Sequence, residues 1–292
     1  MADAAPKSPA VAAVVVAALA FATSAPLARV AVGLSPLAVA AGRTAVASIV
    51  IMIMMPRAVY GSLAKVRGKQ RAALVFAGVL LAAHFAMFMG GLARTSLPAA
   101  VALVSLEPLS VVLVAWAAFG IRPTRRETAG VLVATAGALV VATGAGQGEH
   151  RLLGDAMVVV AVILFGGYVA VARGLRDAMP VMPYAAAVYA VATLALAPFA
   201  IAAAWGDTPP AATWGAVVAL GLVPTLIGHT LVQSAARHLP PAVVALVSPG
   251  ETIGSLAIGA FLLAAWPTRV ETMGALLVVL GATIAIYGRR TG

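Results

Sequence analysis

The octapeptide PTRRETAG (residues 123–130) returns as PTRVETMG (residues 267–274), with six of eight positions identical at an offset of 144. The match spreads outward at that offset. VVVAALAF (residues 14–21) meets VVVAVILF (158–165), Arg29 meets Arg173, and Pro36 meets Pro180. Gly130, Gly137 and Gly144 meet Gly274, Gly281 and Gly288. At an offset of 143, VALVS (101–105) meets VALVS (244–248). Alanine- and valine-rich stretches match by chance, but the octapeptide and the glycine rows do not. They define a duplicated unit, residues 9–145 and 153–289.

Composition fixes the solvent around both copies. Of 292 residues, 63% are hydrophobic and 10% charged, and the mean hydropathy is +1.06. A soluble domain carries about 25% charged residues, so this chain lacks the polar groups to cover a water-facing surface. A polytopic membrane protein with the lipid bilayer as its partner is the class that fits. The chain has no cysteine, which excludes disulfides, thiolate metal sites and cysteine nucleophiles. The net charge of +10 does not imply nucleic acid, because the Lys and Arg residues lie in short gaps between apolar runs rather than on one face.

Runs of about 20 apolar residues give ten candidate spans: 10–29, 36–55, 72–93, 98–119, 127–144, 154–173, 181–204, 213–235, 241–264 and 271–288. The chain therefore reads as an all-α membrane protein. With the N-terminus in the cytoplasm, the inner side collects Lys7, Arg57, Lys65, Arg67, Lys69, Arg71, Arg122, Arg125, Arg126, Arg173, Arg176, Arg237, Arg289 and Arg290. The outer side collects only Arg29, Arg94, Arg151 and Arg269, and Arg43 falls within the second span. This asymmetry obeys the positive-inside rule and places both termini in the cytoplasm. Residues 11–21 also suit the apolar core of a signal peptide, but the repeat pairs them with the sixth span and favours a retained helix.

Five spans per copy is an odd number, so the two copies lie in opposite orientations. The octapeptide faces the cytoplasm in the first copy and the exterior in the second, where only Arg269 of its basic residues survives. Its Pro-Thr-x-x-Glu core reads as a turn and capping box, Thr124 with Glu127 and Thr268 with Glu271. Two inverted five-helix repeats are an architecture of secondary transporters, in which the halves exchange conformations about a central site. A complete internal pair of repeats also suits a monomer.

The chain resembles the drug/metabolite transporter superfamily, specifically its EamA-type ten-helix exporters. LVSLEPLSVVLVAW (103–116), the two octapeptides with their glycine helices, and Arg43 carry the likeness. Where many members have a Gly-Glu pair before the turn, this chain has Gly120-Ile121 and Ala265-Trp266. The resemblance implies export of amino acids, other small metabolites or cationic drugs across the inner (plasma) membrane of a bacterium. The aromatic amino acid exporter branch is the nearest, with His84 as its pointer.

Arg43, His84, Glu107, His229 and Glu251 lie well inside spans. Each charged group at mid-bilayer costs about 2.5–3.5 kcal/mol, so these residues must be paired, hydrated or neutralised. Glu107 and Glu251 occupy equivalent places about ten residues into the fourth and ninth spans. Each adjoins a helix breaker, Pro108 and the SPGE stretch from Ser248 to Glu251. They read either as a binding or proton-coupling site or as hydrogen-bonded interhelical groups. Arg43 reads as an ion-pair partner of Glu107 or as a clamp for a substrate carboxylate. His84 shares a helical stripe with Met87, Phe88 and Gly91, suited to a cavity that takes an apolar side chain or to an interhelical hydrogen bond. Ser248 is a further candidate to bind substrate, and Tyr168, Tyr184 and Tyr189 are candidates to line that cavity. Pro26, Pro108 and the Gly166-Gly167 pair are candidate hinges of the first, fourth and sixth spans. Glycines every seven residues, and Gly250 with Gly254, mark faces where helices approach closely.

There is no nucleotide-binding motif, no H-E-x-x-H and no glycine-flanked serine nucleophile. An intramembrane enzyme is disfavoured and no cofactor or metal is expected. A non-transporting membrane subunit is the remaining alternative.

Overall fold

A computed structural model describes residues 8–120, 122–144, 148–175, 177–206, 208–238, 244 and 247–288, and among these the chain is all helical. The helices are α1 (Ser8–Ala22), α2 (Ser24–Val30), α3 (Pro36–Met54), α4 (Pro56–Lys65), α5 (Lys69–Leu92), α6 (Leu97–Val104), α7 (Glu107–Phe119), α8 (Arg125–Ala142), α9 (Leu152–Gly174), α10 (Val181–Ala203) and α11 (Ala211–Leu220). A π-helical stretch, Gly221–His229, leads into α12 (Thr230–His238), followed by α13 (Val247–Leu263) and α14 (Arg269–Gly288). Local chemistry sets several starts. Ser35 and Ser96 cap α3 and α6 by accepting from the Ala38 and Ala99 N–H groups at 3.2 and 3.1 Å. Thr268 and Glu271 form the reciprocal capping box expected of the octapeptide, with bonds of 2.8 and 3.2 Å. The Glu127 side chain of the first copy lies outside the described residues.

Six helical segments are long and apolar enough to cross a membrane: Ala12–Val30, Pro36–Met54, Lys69–Leu92, Leu152–Ala172, Val181–Ala203 and Ala211–Arg237. Thr128–Ala142 and Gly250–Leu263 are apolar but shorter, so helix length alone does not carry the count of ten. The fourth expected span is broken. α6 ends at Val104, whose carbonyl would accept from residue 108 in a continuous helix. Pro108 has no N–H to give, and α7 restarts at Glu107 with that proline at its second position. The side chain of Pro108 lies outside the described residues. The basic loop after the second span holds a helix that the apolar pattern does not reveal, α4, with Val59 buried against the body.

The two repeats do not form separate bundles. The main packing partners cross between copies: α8 with α14, α5 with α9, α3 and α5 with α10, and α1 with α13. The glycine rows make the closest seam. A Cβ at Gly281 would meet the Ala134 amide nitrogen at 2.4 Å, and one at Gly274 would meet the Val141 amide nitrogen at 2.8 Å. Gly250 and Gly254 let α13 approach Ala18 and Ala22 of α1, where a Cβ would meet theirs at 2.9 and 2.6 Å.

The candidate hinges behave differently. The first span is interrupted at Thr23, three residues before Pro26. Pro26 cannot donate to the Ala22 carbonyl, and the Ser255 hydroxyl of α13 donates to it instead at 2.9 Å. α9 runs unbroken through Gly166 and Gly167. Gly166 serves close packing, since a Cβ there would sit 2.5 Å from the Ser110 Oγ of α7.

The end of the bundle predicted to face outward is closed by polar contacts. Arg29 pairs with Glu149 at 2.9 Å and also donates to the Thr95 carbonyl. Thr95 donates to Asp155 at 2.7 Å, and His150 lies 2.7 Å from Asp155 and 3.5 Å from Glu271. Ser96 donates to Glu271. These contacts join the linker between repeats to the starts of α6, α9 and α14.

Candidate functional site

The break between α6 and α7 creates a helix N-terminus inside the bundle, and Glu107 is its first residue. The orphan N–H groups and positive dipole end of α7 suit a carboxylate there. The Ser248 hydroxyl, from the start of α13, donates to Glu107 Oε2 at 2.8 Å. Beside it Ser105 and Thr252 are hydrogen-bonded hydroxyl to hydroxyl, so the two halves cross at this point through polar groups. Glu251, one turn into α13, is buried. Among the described residues its Oε2 finds no hydrogen-bond partner.

Glu107 and Glu251 open onto one narrow cavity, with Phe21, Ser24, His84, Phe85, Phe88, Val104 and His229. Its volume is about 20 Å³, counted as room for the centre of a water molecule, which admits about one water. A larger recess of about 620 Å³ between α5, α7 and α9 is lined by Gly167 and mostly apolar side chains, with Lys69 and Gln70 at its polar edge. It holds none of the ionisable residues of the helical interior.

The two histidines, far apart in sequence, meet in the cavity wall with ring centroids 6.0 Å apart. The His84 ring donates through Nδ1 to the Ala161 carbonyl at 2.8 Å, a bond that ties α5 to α9 and requires the proton on Nδ1. His84 thus makes the interhelical hydrogen bond and lines the cavity at once. Phe165 lies 5.4 Å from His84, and Phe21 lies 4.7 Å from His229. His229 Nδ1 is buried with no hydrogen-bond partner among the described residues.

The repeat explains this convergence. At the offset of 144, Glu107 corresponds to Glu251, Phe21 to Phe165, Ser24 to Tyr168, and Phe85 to His229. Two of these pairs, Glu107 with Glu251 and Phe85 with His229, have both members in the cavity wall, whereas Phe165 and Tyr168 lie outside it.

Arg43 is buried but does not pair with Glu107; no ion pair within 4 Å joins them. Its Nε donates to Thr225 Oγ1 at 2.8 Å, its Nη1 to Ser24 Oγ at 3.2 Å, and its guanidinium lies 4.2 Å over the Phe85 ring. The reason is the π-helical stretch. Pro224 disrupts regular pairing there, the Thr225 hydroxyl donates to the Leu220 carbonyl at 2.7 Å, and its oxygen is left to accept from Arg43. Arg43 is thus a strut behind the cavity wall.

Of the other predicted residues, His84, Phe88, Glu107 and Glu251 line the cavity, and Ser248 stands behind Glu107. Tyr168 does not line it; it lies behind His229 and Phe165, 6.1 Å from each ring. Tyr184 and Tyr189 are buried and do not line the cavity, and the Tyr189 hydroxyl is spent on Thr225 and Thr230. Phe21, Ser24, Phe85 and Val104 join the wall without having stood out in the sequence. The repeat was the signal for Phe21, whose matched stretch ends at Phe165.

One solved structure, described only as the crystal structure of a protein, superimposes with a TM-score of 0.72 over 98% of this chain and 99% of its own, at 21% identity. That likeness shows the fold. No curated protein matches the sequence. The family model described as the EamA-like transporter family matches twice, over residues 8–143 and 152–287. With both repeats matched across nearly its whole length, the chain belongs to the EamA-like transporter family and is a membrane transporter of small molecules.

Proposed function

We propose that this chain exports amino acids, aromatic and other neutral ones among them, as a secondary transporter working by alternating access. In this reading all ten helical passes cross the cytoplasmic membrane of a bacterium, with both termini inside, and the chain works as a monomer. The supporting observation is the cavity where the repeats meet, walled by Glu107 with Glu251 and by His84 with His229. Two carboxylates suit an ammonium group. The rings of Phe21, Phe85 and Phe88 suit an apolar side chain. Rocking of the interleaved halves widens the narrow cavity toward one side at a time. Proton coupling through Glu107 or Glu251 fits the same geometry.

A second reading, export of cationic compounds, draws on the buried, unpartnered Oε2 of Glu251 beside the aromatic wall. Proteoliposomes loaded with a panel of neutral amino acids and an organic cation separate the two, with and without an imposed pH gradient. Amino acid efflux above protein-free vesicles, reduced about tenfold or more by Glu107→Gln, is the expected result. Efflux of no amino acid under either condition refutes the first reading, and efflux unaffected by the pH gradient refutes coupling.

A further inference from the structure

A second polar cluster lies next to the cavity, on α9, α10 and α12. Tyr168, Tyr184 and Gln233 are wholly buried. Among the described residues, neither tyrosine hydroxyl nor either end of the Gln233 amide closes a hydrogen bond of normal geometry. The Tyr168 hydroxyl faces the Gln233 side chain, and its other charged and phenolic neighbours are Tyr184, Tyr189 and Arg237. The Arg237 guanidinium lies 5.2 Å from the centre of the Tyr184 ring and donates to the Met179 carbonyl at 2.6 Å. Asp177, exposed in the link between α9 and α10, is the acid that faces Arg237. Buried polar groups of native proteins are nearly always satisfied, so several converging orphans mark a place built for a polar occupant.

The chemistry of that occupant follows from the donors. The Gln233 carbonyl can accept from the Tyr168 hydroxyl that faces it, which leaves the Tyr184 hydroxyl, the amide NH₂ and the guanidinium as donors, and the acid facing that guanidinium, Asp177, is exposed at the edge of the cluster. A planar anion that accepts several hydrogen bonds matches this set, which is the chemistry of a carboxylate. The position adds a role. Tyr168 sits 6.1 Å from the His229 ring, and Arg237 lies near the end of α12 that the charge pattern places at the cytoplasm. We propose that Tyr168, Tyr184, Gln233 and Arg237 form a carboxylate subsite on the cytoplasmic side of the central cavity, through which a zwitterionic substrate passes before its ammonium group reaches Glu107 and Glu251. This subsite rests on the amino acid transport reading above.

The test uses the full chain in proteoliposomes with two probes, L-phenylalanine and L-phenylalaninamide, which differ in the carboxylate alone. Tyr184→Phe and Gln233→Leu remove donors at nearly constant volume. Arg237→Lys keeps the charge and loses the fork. Each variant is expected to raise the KM for phenylalanine about tenfold or more while leaving that for the amide within about twofold. Equal changes for both probes, or no change for either, would overturn the subsite and leave a water-filled structural cluster, with the transport reading intact. Movement of neither probe by the wild type would end both.

Discussion

The glycine seam between α8 and α14 permits a worked prediction. In Gly281→Ala the new Cβ lies 2.4 Å from the Ala134 nitrogen, 2.6 Å from the Gly130 oxygen and 2.7 Å from the Ala134 Cβ. Two of these are backbone atoms, which cannot turn aside. Ordinary contact begins near 3.4 Å, so the seam must open by about 1 Å. Overpacking of this kind costs about 1–3 kcal/mol, and two unyielding contacts favour the upper half. Alanine returns about 1 kcal/mol of helix propensity, leaving a net loss of about 1–2 kcal/mol. At about 2–4 °C per kcal/mol for a chain of this size, the Tm falls by roughly 2–8 °C. Gly61 in α4 is the control, because a Cβ there meets nothing within 4 Å; Gly61→Ala keeps the propensity gain and raises the Tm slightly. Thermal unfolding in detergent, followed by tryptophan fluorescence, reads both. If the two variants shift the Tm by the same amount and in the same direction, close approach is not why glycine stands at 281.

Two further outcomes follow from the proline-adapted helices. Ser255→Ala orphans the Ala22 carbonyl and is expected to lose about 1–3 kcal/mol; in a Pro26→Ala background the restored N–H removes most of that loss, and a double-mutant cycle showing additivity would refute the pairing. Arg43→Lys keeps the charge but reaches only one of Thr225 and Ser24, so it is expected to lose about 1.5–3 kcal/mol of stability; an unchanged unfolding midpoint would show that the fork is idle.

Features with a local or periodic signature are legible in the amino-acid sequence itself. The octapeptide's Thr268–Glu271 box needs only residues three apart. The glycine rows follow helical spacing, and the pairing of Glu107 with Glu251 follows from the internal repeat. What stays hidden depends on contacts between distant segments. Arg43 turns to Thr225, 182 residues along the chain, because Pro224 loosens that helix, and no charge count reveals a hydroxyl acceptor. His229 does not stand out as a partner of His84 because its repeat equivalent is Phe85, a different residue type. The interleaving of the halves is also invisible, since a repeat in sequence says nothing about which copy each helix touches.

The departures from two-fold matching have a consequence of their own. Two identical halves of opposite orientation would give a carrier whose two end states are equal in energy, so that neither direction was preferred at rest. Here Arg43 stands opposite Ala187, Phe85 opposite His229, and Ser24 opposite Tyr168. In the alternating-access reading proposed above, these unmatched side chains around the cavity are among the differences between the halves that lift that degeneracy. On that reading, single substitutions at these positions are expected to shift the balance between the two end states while leaving the architecture untouched.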